Sequence, residues 1–302
     1  MRLSANILIS GSTGFLGSAL GFFLTEHDAE VVRLVRGGPV TPDTVHWEPG
    51  SGQLPREGLE GFDAVVHLAG ENIAHHRWTN AQKTLIRDSR VQSTRLLAET
   101  LAKLKRPPGV FICASASGFY GDRGEEILTE NSSPGTGFLA EVCRDWEAAA
   151  EPARKAGIRT VHLRFGMILS PRGGALARMT PLFKTGLGGR LGSGQQWCSW
   201  IGLEDACRIV QFVIRHSEMQ GPVNVVSPQA VTNGEFTAIL GRVLHHSADR
   251  SVPHLAVKLA MGEMADALFF ASARVRPDKL LAARFDFQQA DLESALARML
   301  AS

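Results

Sequence analysis

Apolar residues fall along this chain in two rhythms. Ile7 to Ile9, Val31 to Val35, Val45 to Trp47, Ala64 to Leu68, Val110 to Cys113 and Thr160 to Leu163 are short, largely apolar runs rich in β-branched side chains, the pattern of strands buried on both faces. Between them, Phe15 to Thr25, Asn80 to Leu104 and Ala140 to Lys155 carry apolar residues at helical spacing. Buried strands alternating with helices predict an α/β fold, a doubly wound parallel sheet with right-handed crossovers. Ligands of such sheets bind beyond the carboxyl ends of the strands. Past about residue 165 the rhythm loosens. Residues 203–302 predict mostly helices, one strand at Val223 to Val226, and an amphipathic C-terminal segment from Asp291 to Leu300. The expected division is therefore a first domain over 1–165 and a smaller, mostly helical substrate-type domain over 166–302, with segments free to exchange across a soft boundary. Gly186, Gly188, Gly189, Gly192 and Gly194, followed by Trp197 and Trp200, read as a mobile loop beside the crevice. The two tryptophans suit either a ligand border or the core.

The first strand breaks into Gly11-Ser12-Thr13-Gly14-Phe15-Leu16-Gly17, a G-x-x-G-x-x-G between strand and helix. Gly11 permits a sharp turn, Gly14 a close approach of backbone to a pyrophosphate, and Gly17 tight packing of helix on sheet. The helix N-terminus adds unpaired N–H groups and a positive dipole end. In this context the motif points to a dinucleotide. The end of the second strand distinguishes the two common dinucleotides, because an acid there binds a ribose 2′-hydroxyl and an arginine a 2′-phosphate. Here Val35-Arg36-Gly37-Gly38 follows, with no acid before Asp43. Arg36, with a planar fork suited to phosphate, favours NADP(H); Arg33 is a possible assistant. The fourth strand ends His67-Leu68-Ala69-Gly70, small residues against which the adenosine half can lie. His67, inside an apolar strand, reads as a hydrogen-bonded core residue.

Charge and composition narrow the function class. The 302 residues carry 32 Lys and Arg against 30 Asp and Glu, so nothing points to nucleic acid or an anionic membrane as partner. No apolar run reaches the roughly 18 residues of a membrane span. The four cysteines, Cys113, Cys143, Cys198 and Cys207, lack C-x-x-C spacing, which predicts reduced thiols, a cytoplasmic setting and no metal site. His75 and His76 are adjacent, and adjacent helical side chains diverge. The charged run Glu141 to Glu151 reads as a solvated helix face.

With these motifs the chain resembles the extended short-chain dehydrogenase/reductase superfamily. It is more closely similar to an atypical, NADP-binding branch, the epimerase family proteins. The likeness rests on the glycine motif, Leu68-Ala69-Gly70-Glu71-Asn72-Ile73 with Arg77-Trp78, and Arg87-Asp88-Ser89-Arg90. It continues through Phe119-Tyr120-Gly121, Phe138 to Glu147, Gly192-Ser193-Gly194-Gln195-Gln196 and Trp200-Ile201, and reaches Gly262 to Asp266 and Arg276 to Leu280, spanning the whole chain. The resemblance implies an NADP(H)-binding Rossmann domain, with a family C-terminal extension over 250–297. It implies cofactor contacts at Gly11, Ser12, Thr13, Gly14, Phe15, Leu16, Gly17, Val35, Arg36, Leu68, Ala69 and Gly70, with Arg90 a further one. The substrate class would be a hydroxyl- or carbonyl-bearing small molecule, a nucleotide-linked one among the alternatives.

The superfamily's chemistry is missing. It uses a tyrosine and a lysine four residues apart, the cation holding the phenol's pKa down for proton transfer. This chain's one tyrosine, Tyr120, has Gly124 four residues on. The helix expected to carry the pair offers Phe138 or Leu139 in place of the tyrosine and Val142 or Cys143 in place of the lysine. Tyr120 and Ser117 are the candidate catalytic residues, with Ser115, Glu71, His75 and His76 near expected strand ends. Three readings stay open: catalysis by such groups, a non-catalytic NADP(H) sensor or partner-binding protein, and a fold that the cofactor only stabilises.

Overall fold

The structure is a computed structural model and describes residues 5–38, 41–248 and 250–301. Seven parallel strands form its centre: β1 (Asn6–Ser10), β2 (Glu30–Val35), β3 (Thr44–His46), β4 (Ala64–His67), β5 (Val110–Ala116), β6 (Arg159–Phe165) and β7 (Gly221–Val225). Their order is 3-2-1-4-5-6-7, and every neighbouring pair is parallel. The order reverses between β1 and β4, which opens a crevice at their carboxyl ends.

Residue alternation sends each strand into two cores. Ile7, Ile9, Ala64, Val66, Val110 and Ile112 pack with helices α1 (Phe15–Glu26) and α6 (Leu203–Arg215). Leu8, Val65 and Phe111 face the other side, where α2 (Asn80–Leu101) supplies Leu97 and Leu101. The predicted helix over Ala140 to Lys155 is two pieces, α3 (Phe138–Ala149) and α4 (Glu151–Lys155). Pro152, in the first turn of α4, brings no N–H and so starts a new helix more readily than it continues one.

Beyond β6 lies a second core of Leu176, Phe183, Trp200, Phe236, Leu240 and Leu296, drawn from α5 (Gly174–Lys184), α7 (Asn233–Leu244) and the C-terminal helix Leu292–Leu300. The sheet takes β7 from beyond residue 165, and α6 returns to pack on α1, so the first lobe is discontinuous in sequence. Arg159 on β6 fixes the end of α6 by donating to the carbonyls of Val213, Ile214, His216 and Met219 at 2.9–3.2 Å. Gly188 and Gly189 serve close packing: a Cβ on Gly189 would lie 2.4 Å from the Arg250 carbonyl oxygen, and one on Gly188 2.3 Å from the Phe183 ring. Arg190–Leu191 there pairs with Ser251–Val252. Among the described residues, no helix is long and apolar enough to cross a membrane.

Candidate functional site

The crevice is built from the loops after β1, β2, β4 and β5. Gly11 turns off β1 at a φ of 70°, and a Cβ there would meet the Leu68–Ala69 peptide at 2.8 Å. A Cβ on Gly17 would sit 2.1 Å from the Gly11 carbonyl oxygen. These two glycines clamp the loop against the sheet. Gly14 differs: its nearest neighbour in that direction is 3.2 Å away, and Thr13 and Gly14 are exposed. Gly14 caps α1 with no side-chain hydrogen bond, and the first turn holds no acid. The N–H groups opening the helix thus meet no capping side chain, the arrangement that binds a phosphate. The Ser12 hydroxyl is buried without a hydrogen-bond partner among the described residues. Phe15 packs under the loop before α5, where a Cβ on Gly173 would touch its ring at 2.6 Å.

At the end of β2 the two arginines separate. Arg33 is bonded to Asp43 at 2.6 Å. Arg36 is exposed and shows no hydrogen bond or ion pair among the described residues. A free guanidinium beside a pyrophosphate-type loop suits a second phosphate.

His67 ends β4 and is fully buried. Its Nδ1 lies 2.6 Å from the Ser10 hydroxyl and its Nε2 3.1 Å from that of Ser93. Ser93 donates to the Ser89 carbonyl at 2.6 Å, so it accepts from Nε2–H, and Nδ1 accepts from Ser10. Ser10 in turn accepts from the Leu68 N–H at 3.2 Å. Burial pushes the imidazole down to about 3, which keeps it neutral. His67 therefore props the Leu68-Ala69-Gly70 loop from below. Arg90 lies behind that loop: a Cβ on Gly70 would be 3.1 Å from its guanidinium carbon. Arg90 stacks over Trp146 at 5.1 Å and donates to the Ile86 carbonyl.

The sequence expectation for Tyr120 needs correction. It is completely buried, its hydroxyl donates to Asn224 Oδ1 at 2.7 Å and accepts from Arg164 Nη1 at 3.0 Å. Burial pushes the phenol up, against the opposing pull of Arg164. This hydroxyl is sealed from solvent and committed to Asn224 and Arg164. The run Glu141 to Glu151 is not uniformly solvated either. Glu147 turns inward and binds Arg164 through two 2.8 Å hydrogen bonds, while Ser115 donates to it at 2.7 Å. Ser115, Arg164 and Asn224 occupy one rung of β5, β6 and β7, with Phe119 stacked on the guanidinium at 3.5 Å. This polar floor was missed because its members are scattered through the chain, and a charged residue on a helix is usually solvated.

Ser117, in the turn after β5, is half-buried with no side-chain hydrogen bond among the described residues. It remains available to a ligand. The register left open on α3 is fixed by Gly118, whose Cβ would lie 3.4 Å from Leu139 Cβ and 4.0 Å from Cys143 Sγ. Phe138 instead packs on Trp78. Leu139 and Cys143, one turn apart, thus face the end of β5; burial pushes the Cys143 thiol up to about 12, so neither is an acid or base at neutral pH. Glu71 is half-buried, its N–H donates to the Ser89 hydroxyl at 3.0 Å, and its carboxylate interacts electrostatically with Arg90. His75 and His76 are exposed, with rings 5.7 Å apart. Trp200 belongs to the core, its indole donating to the Gln229 carbonyl; Trp197 is half-buried and bonded to Glu125 at 2.7 Å.

Comparison with known proteins agrees with this layout. The NAD dependent epimerase/dehydratase family model matches residues 7–226, and a domain of unknown function, DUF1731, matches residues 252–299. "Epimerase family protein MT2273" of Mycobacterium tuberculosis is 44% identical over 97% of both chains. The crystal structure of "human epimerase family protein SDR39U1 (isoform2) with NADPH" superposes with a TM-score of 0.90 at 30% identity, covering 98% of this chain and 99% of that one. A "nucleoside-diphosphate sugar epimerase from Corynebacterium glutamicum" gives 0.82 at 38% identity, covering 98% of this chain and 58% of that one. The chain belongs to the NAD dependent epimerase/dehydratase family, among the atypical short-chain dehydrogenase/reductase members called epimerase family proteins.

Proposed function

We propose that this protein binds NADP(H) and carries out oxidoreduction or epimerisation of a hydroxyl- or carbonyl-bearing small molecule. The observation that carries the cofactor half is Arg36. Among the described residues it is the unpaired cation at the end of β2, where Arg33 is already paired with Asp43. The NADPH named with the human relative supports the same reading. Gly11 to Gly17 would hold the pyrophosphate, Val35 and Arg36 the ribose with its 2′-phosphate, and Leu68-Ala69-Gly70, backed by Arg90, the adjoining part of the dinucleotide. When bound, the nicotinamide ring supplies a hydride donor or acceptor. On the protein side, Ser117 is the hydroxyl placed to hold a substrate oxygen. The substrate is small, and a nucleotide-linked one fits the family.

Arg36→Glu tests the cofactor half: NADPH binding falls about tenfold to a hundredfold, the worth of a charge-assisted hydrogen bond, and NADH binding changes far less. Equal losses for both cofactors would remove the 2′-phosphate role. Loss of NADPH absorbance at about 340 nm with a carbonyl panel tests turnover. A second reading, an NADP(H) sensor without turnover, draws on Leu139 and Cys143. Those positions offer no proton donor at neutral pH, and silence across the panel with tight cofactor binding would favour it.

A further inference from the structure

The segment from Ser251 to Val275 is tied down at both ends and, near its second end, by the buried Gln196, whose Nε2 donates to the Phe269 carbonyl at 3.0 Å. Its first anchor is the pairing of Ser251–Val252 with Arg190–Leu191, supported by Gly192 N–H to the Val252 carbonyl at 2.9 Å. Its last anchor is the loop after β5. There Ser272 bonds Asp122 and Gly124 at 3.2 and 2.7 Å, and Arg274–Val275 pairs with Ile127–Leu128. Between the anchors lies helix α8 (His254–Met261), which has no buried residue and exposes Leu255 and Leu259 by 66% and 71%. Gly262, at a φ of 67°, reverses the chain into Glu263–Ala265. His254 and Lys258 both bind Asp266, at 2.6 and 2.8 Å, so the two arms of this reversal are braced as one unit.

That unit reaches the opposite bank of the crevice. Glu263 pairs with Lys83 at 2.5 Å, and Arg77 donates to the Leu259 carbonyl at 3.2 Å. Arg77 lies in the loop after β4 and Lys83 in the first turn of α2, both at the carboxyl edge of the sheet. The segment therefore links the loop after β5 to the loop after β4. Two buried apolar residues assist, Met264 and Ala265.

We propose that His254–Phe270 is a strap over the nicotinamide and substrate end of the crevice, latched by the Lys83–Glu263 pair and the Arg77 hydrogen bond. Its opening gates release of the bound dinucleotide. The proposal rests on the dinucleotide reading above. The pair is half-exposed, with side-chain exposures of 25% and 53%, and a solvated ion pair holds weakly and is screened by salt, so the latch opens without melting either lobe.

Two readouts on the full chain test it. In the protein without cofactor, Lys83→Glu speeds amide hydrogen exchange over residues 254–262 by about threefold to tenfold, a range set by the small worth of exposed pairs. The charge-swapped double variant Lys83→Glu/Glu263→Lys restores the wild-type rate. With NADPH bound, exchange over the same residues slows, and stopped-flow release of NADPH is faster in Lys83→Glu and recovers in the swap. Unchanged exchange in Lys83→Glu, or a swap as loose as the single variant, overturns the latch. NADPH binding that leaves exchange at 254–262 unaltered overturns the strap while sparing the cofactor reading. Absence of NADPH binding in the wild type overturns both. Circular dichroism and the melting temperature of the apo protein confirm that each variant is folded.

Discussion

His67 offers the sharpest test of how the crevice is supported. The imidazole is fully buried between Ser10 and Ser93, and its pKa is pushed down from 6.5 to about 3 by desolvation. A folded-state pKa below the unfolded value means that the unfolded chain takes up the proton first. The stabilisation is complete above pH 6.5 and is lost as the pH falls toward about 3. By linkage the full loss is about 5 kcal/mol, and between pH 8 and pH 5 it is about 2 kcal/mol. For a chain of this size that corresponds to about 4 °C in melting temperature. The perturbation is His67→Gln, whose amide still offers a donor and an acceptor but does not titrate. The assay is the melting temperature from pH 8 to pH 5, taken for both proteins. Other groups contribute to both curves; burial also lowers the pKa of His162, so the difference between the curves isolates His67. The variant melts lower at pH 8 yet loses about 4 °C less on acidification. Parallel curves would falsify the reasoning, because they would mean that the folded protein accepts a proton at His67 in this range.

Further expectations concern the glycine loop and the polar floor. Gly17→Ala pushes a methyl group to 2.1 Å from the Gly11 carbonyl oxygen, which costs about 1–3 kcal/mol and removes dinucleotide binding. Gly21→Ala on the same helix meets nothing within 4 Å and stabilises by about 0.5–1 kcal/mol. Thermal melts and an NADPH titration check both, and equal behaviour of the two variants would refute the clamp. Tyr120→Phe strands Arg164 Nη1 and Asn224 Oδ1 and lowers stability by about 1–3 kcal/mol, with cofactor binding retained. If stability is unchanged but turnover of an accepted carbonyl collapses, Tyr120 is catalytic after all. Arg164→Leu leaves Glu147 as a nearly buried carboxylate with Ser115 its remaining donor, costing about 3–5 kcal/mol. Arg164→Leu/Glu147→Leu recovers much of that loss in a melt, and a double variant no better than the single would contradict a paired charge.

The parts of the fold that were legible in the sequence are those set by local pattern. Ile7 to Ile9 and Ala64 to Leu68 read as strands because each is a short apolar run, and the alternation within them fills two cores. Gly11 to Gly17 carried the loop because three glycines at that spacing answer one steric demand. Assignments that depended on distant partners were not legible. Glu147 meets Arg164 from 17 residues away, and Tyr120 meets Asn224 from 104 residues away. No window of sequence contains either pair. Glycines at 186–194 suggested mobility, yet Gly188 and Gly189 are small because Phe183 and Arg250 press against them. The α3 register waited on Gly118, since Phe138 and Leu139 both satisfy an amphipathic pattern.

The discontinuity of the sheet bears on how this protein can be dissected. A fragment ending near residue 165 would retain the glycine loop, Arg36 and the His67 prop, every group assigned to the dinucleotide up to Arg90. It would also present the whole of β6 as an open edge, where β7 now pairs from Gly221 to Val225, and such edges invite aggregation. Within it, Tyr120 and Arg164 would lack Asn224, and Arg159 would have no α6 carbonyls to bind. A cofactor-binding module cannot be excised from this chain as a contiguous N-terminal piece. During synthesis the same wiring delays closure of the floor until residues beyond 220 have emerged, so the ligand crevice and the second lobe mature together.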